Sequence, residues 1–327
     1  MSPVQTDAVM GDRDGLTAPD RRAAPVIRQN PLEAEGRRIG RLLTMPAQLL
    51  LLFIFLFPTV MVVYLSLTDW SPYTGKSWIY AYRYWYGLGN YADLLVDSRF
   101  WEALWRTVLI MAIAVPAQFI LGFGLAILFT GTLFGKRVLY TVLLTPMMVV
   151  PAVAGYMFFM LFQSNGPIND LLSSLLGMDI SVAWLSRPNL AMIAVIITEV
   201  WQWTPLMFLI LLAGLTAMPQ DQIMAADMLG ASWGQVFWRI VLPRMRGVIV
   251  IALALRFVEC FKIFDTLFIM TGGGPGVSTE TISVFMYKVT FLDLKWSYVS
   301  AIGLVVVVAL SVLAVLGMKR IAAAAQH

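Results

Sequence analysis

The chain of 327 residues contains one cysteine, Cys260, and one histidine, His327, its last residue. A single thiol inside an apolar run excludes a disulfide framework. A single terminal imidazole excludes zinc-type sites and histidine-based catalytic triads. Carboxylates alone could still hold a metal, but no acidic cluster points to one. No glycine-rich loop ends in Gly-Lys-Ser/Thr, so the chain has no ATP-binding motif. Charge is scarce as well: 13% of residues are charged, against 59% hydrophobic. A soluble domain needs about 25% charged residues for its surface. The chain therefore reads as a polytopic membrane protein. Its formal net charge of +4 is no nucleic-acid footprint. The basic residues lie beside apolar runs and form no basic face.

A membrane span needs about 20 apolar residues. Six runs qualify: 44–67, 105–130, 141–163, 190–215, 247–270 and 298–318. Pro58, Pro116, Pro146, Pro151 and Pro205 fall inside them, which membrane helices tolerate when neighbours re-satisfy the backbone. Residues 1–43 are polar and Arg-rich and read as a disordered tail. No small-residue cleavage site follows the first run, so it is expected to be a retained span. With the N-terminus inside, 14 Lys and Arg fall in cytoplasmic segments and six in outer loops. That bias places both termini, the loop 216–246 and the tail 319–327 in the cytoplasm. The outer loop 68–104 holds ten Trp and Tyr. They suit either an aromatic belt at the headgroups or a protein-docking surface.

The loop 216–246 is itself patterned. Asp221 can cap a short helix, 221–229, and Gly230 permits a sharp turn with positive φ. A second helix follows. Trp233, Val236, Phe237, Ile240 and Val241 have the spacing of one buried face, and Pro243 is expected to stop it.

This element resembles the cytoplasmic loop of bacterial ABC importer permeases. Ala225, Ala226, Gly230, Ala231, Ile240, Leu242 and Pro243 stand at the positions of that family's motif. "WQWTPLMFLILLAGLTAMP" (201–219), "FKIFDTLFIMTGGGPG" (261–276) and "GLGNYADLLVDSRFWEAL" (87–104) are similar to its carbohydrate-uptake branch, the maltose/glycerol-phosphate type. The resemblance covers about residues 45–318. It implies an all-α integral membrane fold, six helices of the type I ABC importer permease class, with a cytoplasmic coupling helix. It implies a bacterial inner-membrane translocation subunit that is not an enzyme and has no cofactor of its own. ATP and Mg would be bound by a partner ATPase dimer. The other implied partners are a second permease, an extracytoplasmic solute-binding protein, membrane lipid and a sugar-like solute. Residues Met224, Ala225, Ala226, Asp227, Gly230, Ala231, Leu242 and Pro243 would meet the ATPase. Gly272, Gly273, Gly274 and Pro275 would meet the binding protein. Met224 stands where the family usually has Glu, so docking is expected to lean on apolar fit.

Charges inside apolar runs are expensive and need partners or a wet cavity. Glu199 shares a helix face with Gln202, Trp203 and Leu206, a stripe suited to sugar hydroxyls and the apolar face of a pyranose. Glu199 could instead pair with a neighbouring helix. Arg256, Glu259, Lys262 and Asp265 alternate in sign at steps of three, forming either a self-neutralising ladder or, at Arg256, Glu259 and the neighbouring Cys260, a border of the solute path. A rival class is an ion-coupled secondary transporter, to which an intramembrane carboxylate would suit proton coupling. It predicts inverted repeats and short broken helices, and the sequence displays neither.

Overall fold

The computed structural model describes residues 31–219 and 221–325; most of the expected N-terminal tail lies outside them. Thirteen helices are described: α1 (Pro31–Ser66), α2 (Gly89–Val96), α3 (Ser98–Thr130), α4 (Lys136–Met148), α5 (Pro151–Leu161), α6 (Pro167–Leu176), α7 (Pro188–Thr216), α8 (Asp221–Met228), α9 (Trp233–Val236), α10 (Leu242–Phe261), α11 (Asp265–Thr271), α12 (Ile282–Phe291) and α13 (Trp296–Ala325). Among the described residues no strand occurs beyond an isolated bridge between Thr68 and Trp85. α1 starts at Pro31, so residues 31–43 are helical and not part of an irregular tail.

The chain divides into two units, at Phe57 and Pro58. The first carries the apolar part of α1, where every side chain from Leu49 to Phe57 is exposed and Phe53 stacks on Phe57 at 5.3 Å. The second holds the remaining helices. At its centre lies α7, apolar enough to span a membrane and the most buried of the candidate spans. It packs along α3, where Phe129, Tyr140 and Phe208 interlock ring to ring at 4.7–5.7 Å.

Three helical segments are long and apolar enough to cross a membrane: Leu43–Ser66, Ser98–Thr130 and Pro188–Thr216. The expected run 141–163 is not one straight helix. α4 and α5 meet at 98° across Val149 and Val150. Pro151 is the reason: it has no N–H to continue α4, and it drives Val150 to extended backbone (ψ 135°). The expected run 247–270 is divided too. α10 ends at Phe261, and α11 begins at Asp265. These two breaks face each other, because α5 packs on α11. Gly155 makes that approach possible: a Cβ there would lie 2.7 Å from the Thr266 carbonyl oxygen.

Pro243 does not stop the helix that begins at Trp233. The chain passes from α9 through a π turn at Phe237–Val241 straight into α10. In the wider turn the Leu242 N–H donates to the Phe237 carbonyl. This i→i+5 register accommodates a proline that an α-turn would reject. It also rotates the expected apolar face. Val236 is buried, Phe237, Ile240 and Val241 are half-buried, and Trp233 is 69% exposed, stacked flat on Phe237 at 5.3 Å. Phe237 in turn meets Phe123 of α3 at 5.7 Å.

Candidate functional site

The centre of the second unit holds a buried polar cluster contributed by α3, α7 and α10. Arg256 is 1% exposed and Glu199 is 3% exposed. The Arg256 Nη2 donates to Glu199 Oε1 at 2.7 Å, and its Nε donates to Gln118 Oε1 at 3.0 Å. The Gln118 amide closes the set by donating from Nε2 to the Glu199 carbonyl at 3.0 Å. The guanidinium lies 4.9 Å from the Trp203 ring centre, and Cys260 is buried on the same helix as Arg256. Glu199 thus pairs with a neighbouring helix. The charge ladder on 256–265 does not form: Arg256 turns inward, the break at 262–264 separates Asp265 from α10, and only Glu259 and Lys262 pair along it, at 3.0 Å. Such a ladder needs unbroken helical spacing.

Directly beside this cluster is a cavity of about 190 Å³ lined by Glu199, Trp203, Arg256, Glu259, Lys262 and Asp265, with Pro151 and the 263–266 segment. It therefore sits where both broken helices come together. Four of the residues expected to border a solute path line it: Glu199, Trp203, Arg256 and Glu259. Three do not. Leu206 lies one turn further along α7, and Cys260 is buried at the end of α10. Gln202 is 1% exposed and holds the breaks together. Its Nε2 donates to the Val149 carbonyl at 3.0 Å, and its Oε1 accepts from Thr266 Oγ1 at 3.3 Å. Thr266 also donates to the Pro151 carbonyl at 3.1 Å. A kink inside hydrocarbon must re-satisfy the carbonyls it frees, and Gln202 does so.

This changes what Gln202→Ala is expected to do. Its loss leaves the half-buried Val149 carbonyl without this partner, at about 1 kcal/mol. The variant should reduce recovery and thermal stability of the purified protein more than Trp203→Ala does. Equal stability of the two would contradict this role.

Gln118 and Thr266 were not marked by any sequence motif. Gln118 is a lone amide in an apolar run, which is itself a signal on physical grounds. Its partners could only be found in three dimensions.

At one end of the unit, Glu280 is fully buried. Arg99 grips it from Nε and Nη2 at 2.8 and 3.1 Å, and Lys288 adds a third bond at 2.8 Å. Burial alone would raise the Glu280 carboxyl, but the bonds from Arg99 and Lys288 outweigh it and hold it below its ordinary value of 4.5. The carboxylate therefore stabilises this end above that ordinary value, and the contribution is lost as pH falls through the depressed folded value. The glycine loop 272–276 folds over this cluster. Gly272 and Gly273 are left-handed and Gly273 is buried, so Gly276 and Val277 are its exposed parts. Glu280→Gln should raise amide exchange of residues 272–281 at neutral pH and flatten its dependence on acidification. Unchanged exchange at neutral pH would show that Glu280 does not hold the loop.

The element after α7 is closed by two local motifs. The Ala231 N–H donates to the Ala226 carbonyl and the Gly230 N–H to that of Asp227, both at 3.0 Å, with Gly230 at φ +77°. This is a Schellman end with glycine in the left-handed position. Ser232 then caps α9 in a reciprocal box with Gln235. On α8, Met224, Met228 and Leu229 are 59%, 89% and 88% exposed.

The aromatic loop is divided between packed and exposed rings. Trp70 is buried, edge-on to Trp296 at 5.9 Å, while Tyr73 and Trp85 are 74% and 62% exposed.

Residues 86–325 match the family described as the binding-protein-dependent transport system inner membrane component. The chain is 33% identical over 305 residues to the trehalose transport system permease protein SugA of Mycobacterium tuberculosis, covering 93% of this chain and 95% of that one. It is 35% identical over 277 residues to the sulfoquinovosyl glycerol transport system permease protein SmoG of Agrobacterium fabrum, covering 84% and 87%. Its fold is similar to a chain of the crystal structure of a bacterial ABC transporter involved in the import of the acidic polysaccharide alginate. The TM-score is 0.74 at 17% identity, covering 89% of this chain and 98% of that one. With the matched region covering most of the sequence, this chain belongs to the family of binding-protein-dependent transport system inner membrane components, the permease subunits of ABC importers.

Proposed function

We propose that this permease carries a sugar or sugar derivative, and that the cavity between the two broken helices is its share of the solute path. The observation that carries this reading is the joint lining of one cavity by a tryptophan ring and several charged groups at a double helix break. Broken helices supply polar groups at membrane depth only where protein or a wet cavity receives them. A cavity of about 190 Å³ is smaller than a complete ligand pocket, typically about 300–1,000 Å³. That size fits one half of a site completed by a second, homologous permease. The names of the trehalose and sulfoquinovosyl glycerol relatives support a carbohydrate solute.

In this reading the chain crosses the inner membrane six times, with both termini in the cytoplasm. The exposed apolar face of α8 inserts into an ATPase subunit, and an extracytoplasmic binding protein delivers the solute to the opposite end, at the glycine loop. ATP hydrolysis belongs to the separate ATPase chain. The helical run Trp233–Phe261 links the two ends. Arg256 lies 23 residues above Trp233, on the order of 35 Å at helical rise. Displacement of the docked element would reach the Arg256 cluster along one continuous helix. The two helix breaks are a feature the ion-coupled alternative predicted and the sequence did not display; against that alternative stand the membership in the ABC importer permease family and Glu199, which is held by Arg256 at 2.7 Å.

Trp203→Ala tests the site. The ring borders the cavity, and its loss should raise the half-saturation concentration for uptake about fivefold, the equivalent of about 1 kcal/mol, with complex assembly retained. Transport of radiolabelled sugar into proteoliposomes with internal ATP would measure it. Unchanged half-saturation in an assembled complex would remove Trp203 from the path.

A further inference from the structure

We infer that this cavity is built for an uncharged saccharide and disfavours anionic ones, with Asp265 setting the preference. The inference rests on the reading of the cavity as part of the solute path.

Five charged residues line it: Glu199, Arg256, Glu259, Lys262 and Asp265. Both cations are committed. Arg256 is bound by Glu199 at 2.7 Å and by Gln118 at 3.0 Å. Lys262 is paired with Glu259 at 3.0 Å. Asp265 has no ion-pair partner among the described residues. It is the exposed first residue of α11. The lining therefore carries one uncompensated negative charge.

An acidic solute would have to take a cation from its partner. Taking Arg256 strands Glu199 as a buried charge without a counter-ion, a strongly unfavourable state. Taking Lys262 frees Glu259 beside Asp265, so that two unpaired carboxylates face the solute. A neutral sugar requires neither. Its hydroxyls can donate to Glu259 and Asp265, and its C–H face can lie against the Trp203 ring. Because Asp265 and Lys262 are exposed, the discrimination should weaken with salt.

The test uses the complete complex in nanodiscs, without the binding protein, so that the solute meets the permease directly. Radiolabelled trehalose and maltose are titrated beside disaccharides of the same size that carry one uronic acid. Wild type should bind at least one neutral probe ten times more tightly than its acidic counterpart at low salt. Asp265→Asn should narrow that ratio at least threefold, and Asp265→Lys should bring it to parity or invert it. A wild-type complex that binds no neutral probe more tightly than its acidic counterpart overturns the inference. So does a ratio untouched by Asp265→Asn in a complex of normal stability. Trp203→Ala separates the two levels. If it leaves binding of the neutral probe unchanged, the cavity is not the solute site. If it weakens that binding while Asp265→Asn leaves the ratio intact, only the charge preference fails.

Discussion

Arg256→Met, with Glu199 retained, is expected to lower the stability of the purified permease complex by about 3–5 kcal/mol or to prevent its recovery. The size follows from burial. Glu199 is 3% exposed and takes a 2.7 Å bond from a guanidinium that is 1% exposed. Removing the cation leaves a nearly buried carboxylate without its counter-charge. The Gln118 side-chain oxygen loses its donor in the same step. Adding Glu199→Gln should restore most of the loss, because a neutral amide at that position no longer needs a counter-ion. Recovery after detergent extraction and thermal denaturation of the complex would measure both variants. A single variant as stable as wild type, or a double variant no better than the single, would mean the pair is not the anchor of α7 to α10.

The second large effect is expected at the cytoplasmic element of the proposed topology. Gly230→Val should sharply reduce co-purification of the ATPase, or leave hydrolysis uncoupled from uptake, while the membrane helices stay inserted. A Cβ at Gly230 meets nothing within 4 Å, so crowding within this chain is not the cause. The cause is φ +77°, a left-handed backbone that costs a β-branched residue about 1–2 kcal/mol or more. Relief of that strain opens the Schellman end, and the direction of α8 relative to Ser232 changes. Met224→Ala should weaken ATPase recovery more than Asp227→Asn does, since α8 presents an exposed apolar surface at Met224, Met228 and Leu229. Full ATPase recovery with coupled uptake in Gly230→Val would refute the coupling role.

Local elements were legible in the sequence where one short stretch contains all the interacting groups. The turn at Gly230 and the general positions of the apolar runs are of this kind. Prolines were legible only by half. Pro151 breaks its run as proline chemistry dictates, whereas Pro243 is carried through a π turn. The choice between a stop and a π turn depends on what the flanking residues pack against, here Phe237 on Phe123 of α3. Gln202 was read as facing solute because its helix face is shared with Glu199. The carbonyl that claims it, Val149, becomes available only once α4 and α5 bend apart.

Composition and short-range order alone thus determined the class of protein, the general positions of the apolar segments and the glycine turn after α8. Scarce charge has no soluble solution, and the turn at Gly230 closes within a few residues. The tertiary structure decided which charges are paired, where two helices break and which side chains face the cavity between them. Those outcomes depend on pairs far apart in the chain, such as Gln118 with Arg256 and Thr266 with Pro151, whose energies arise only when separate helices are packed together.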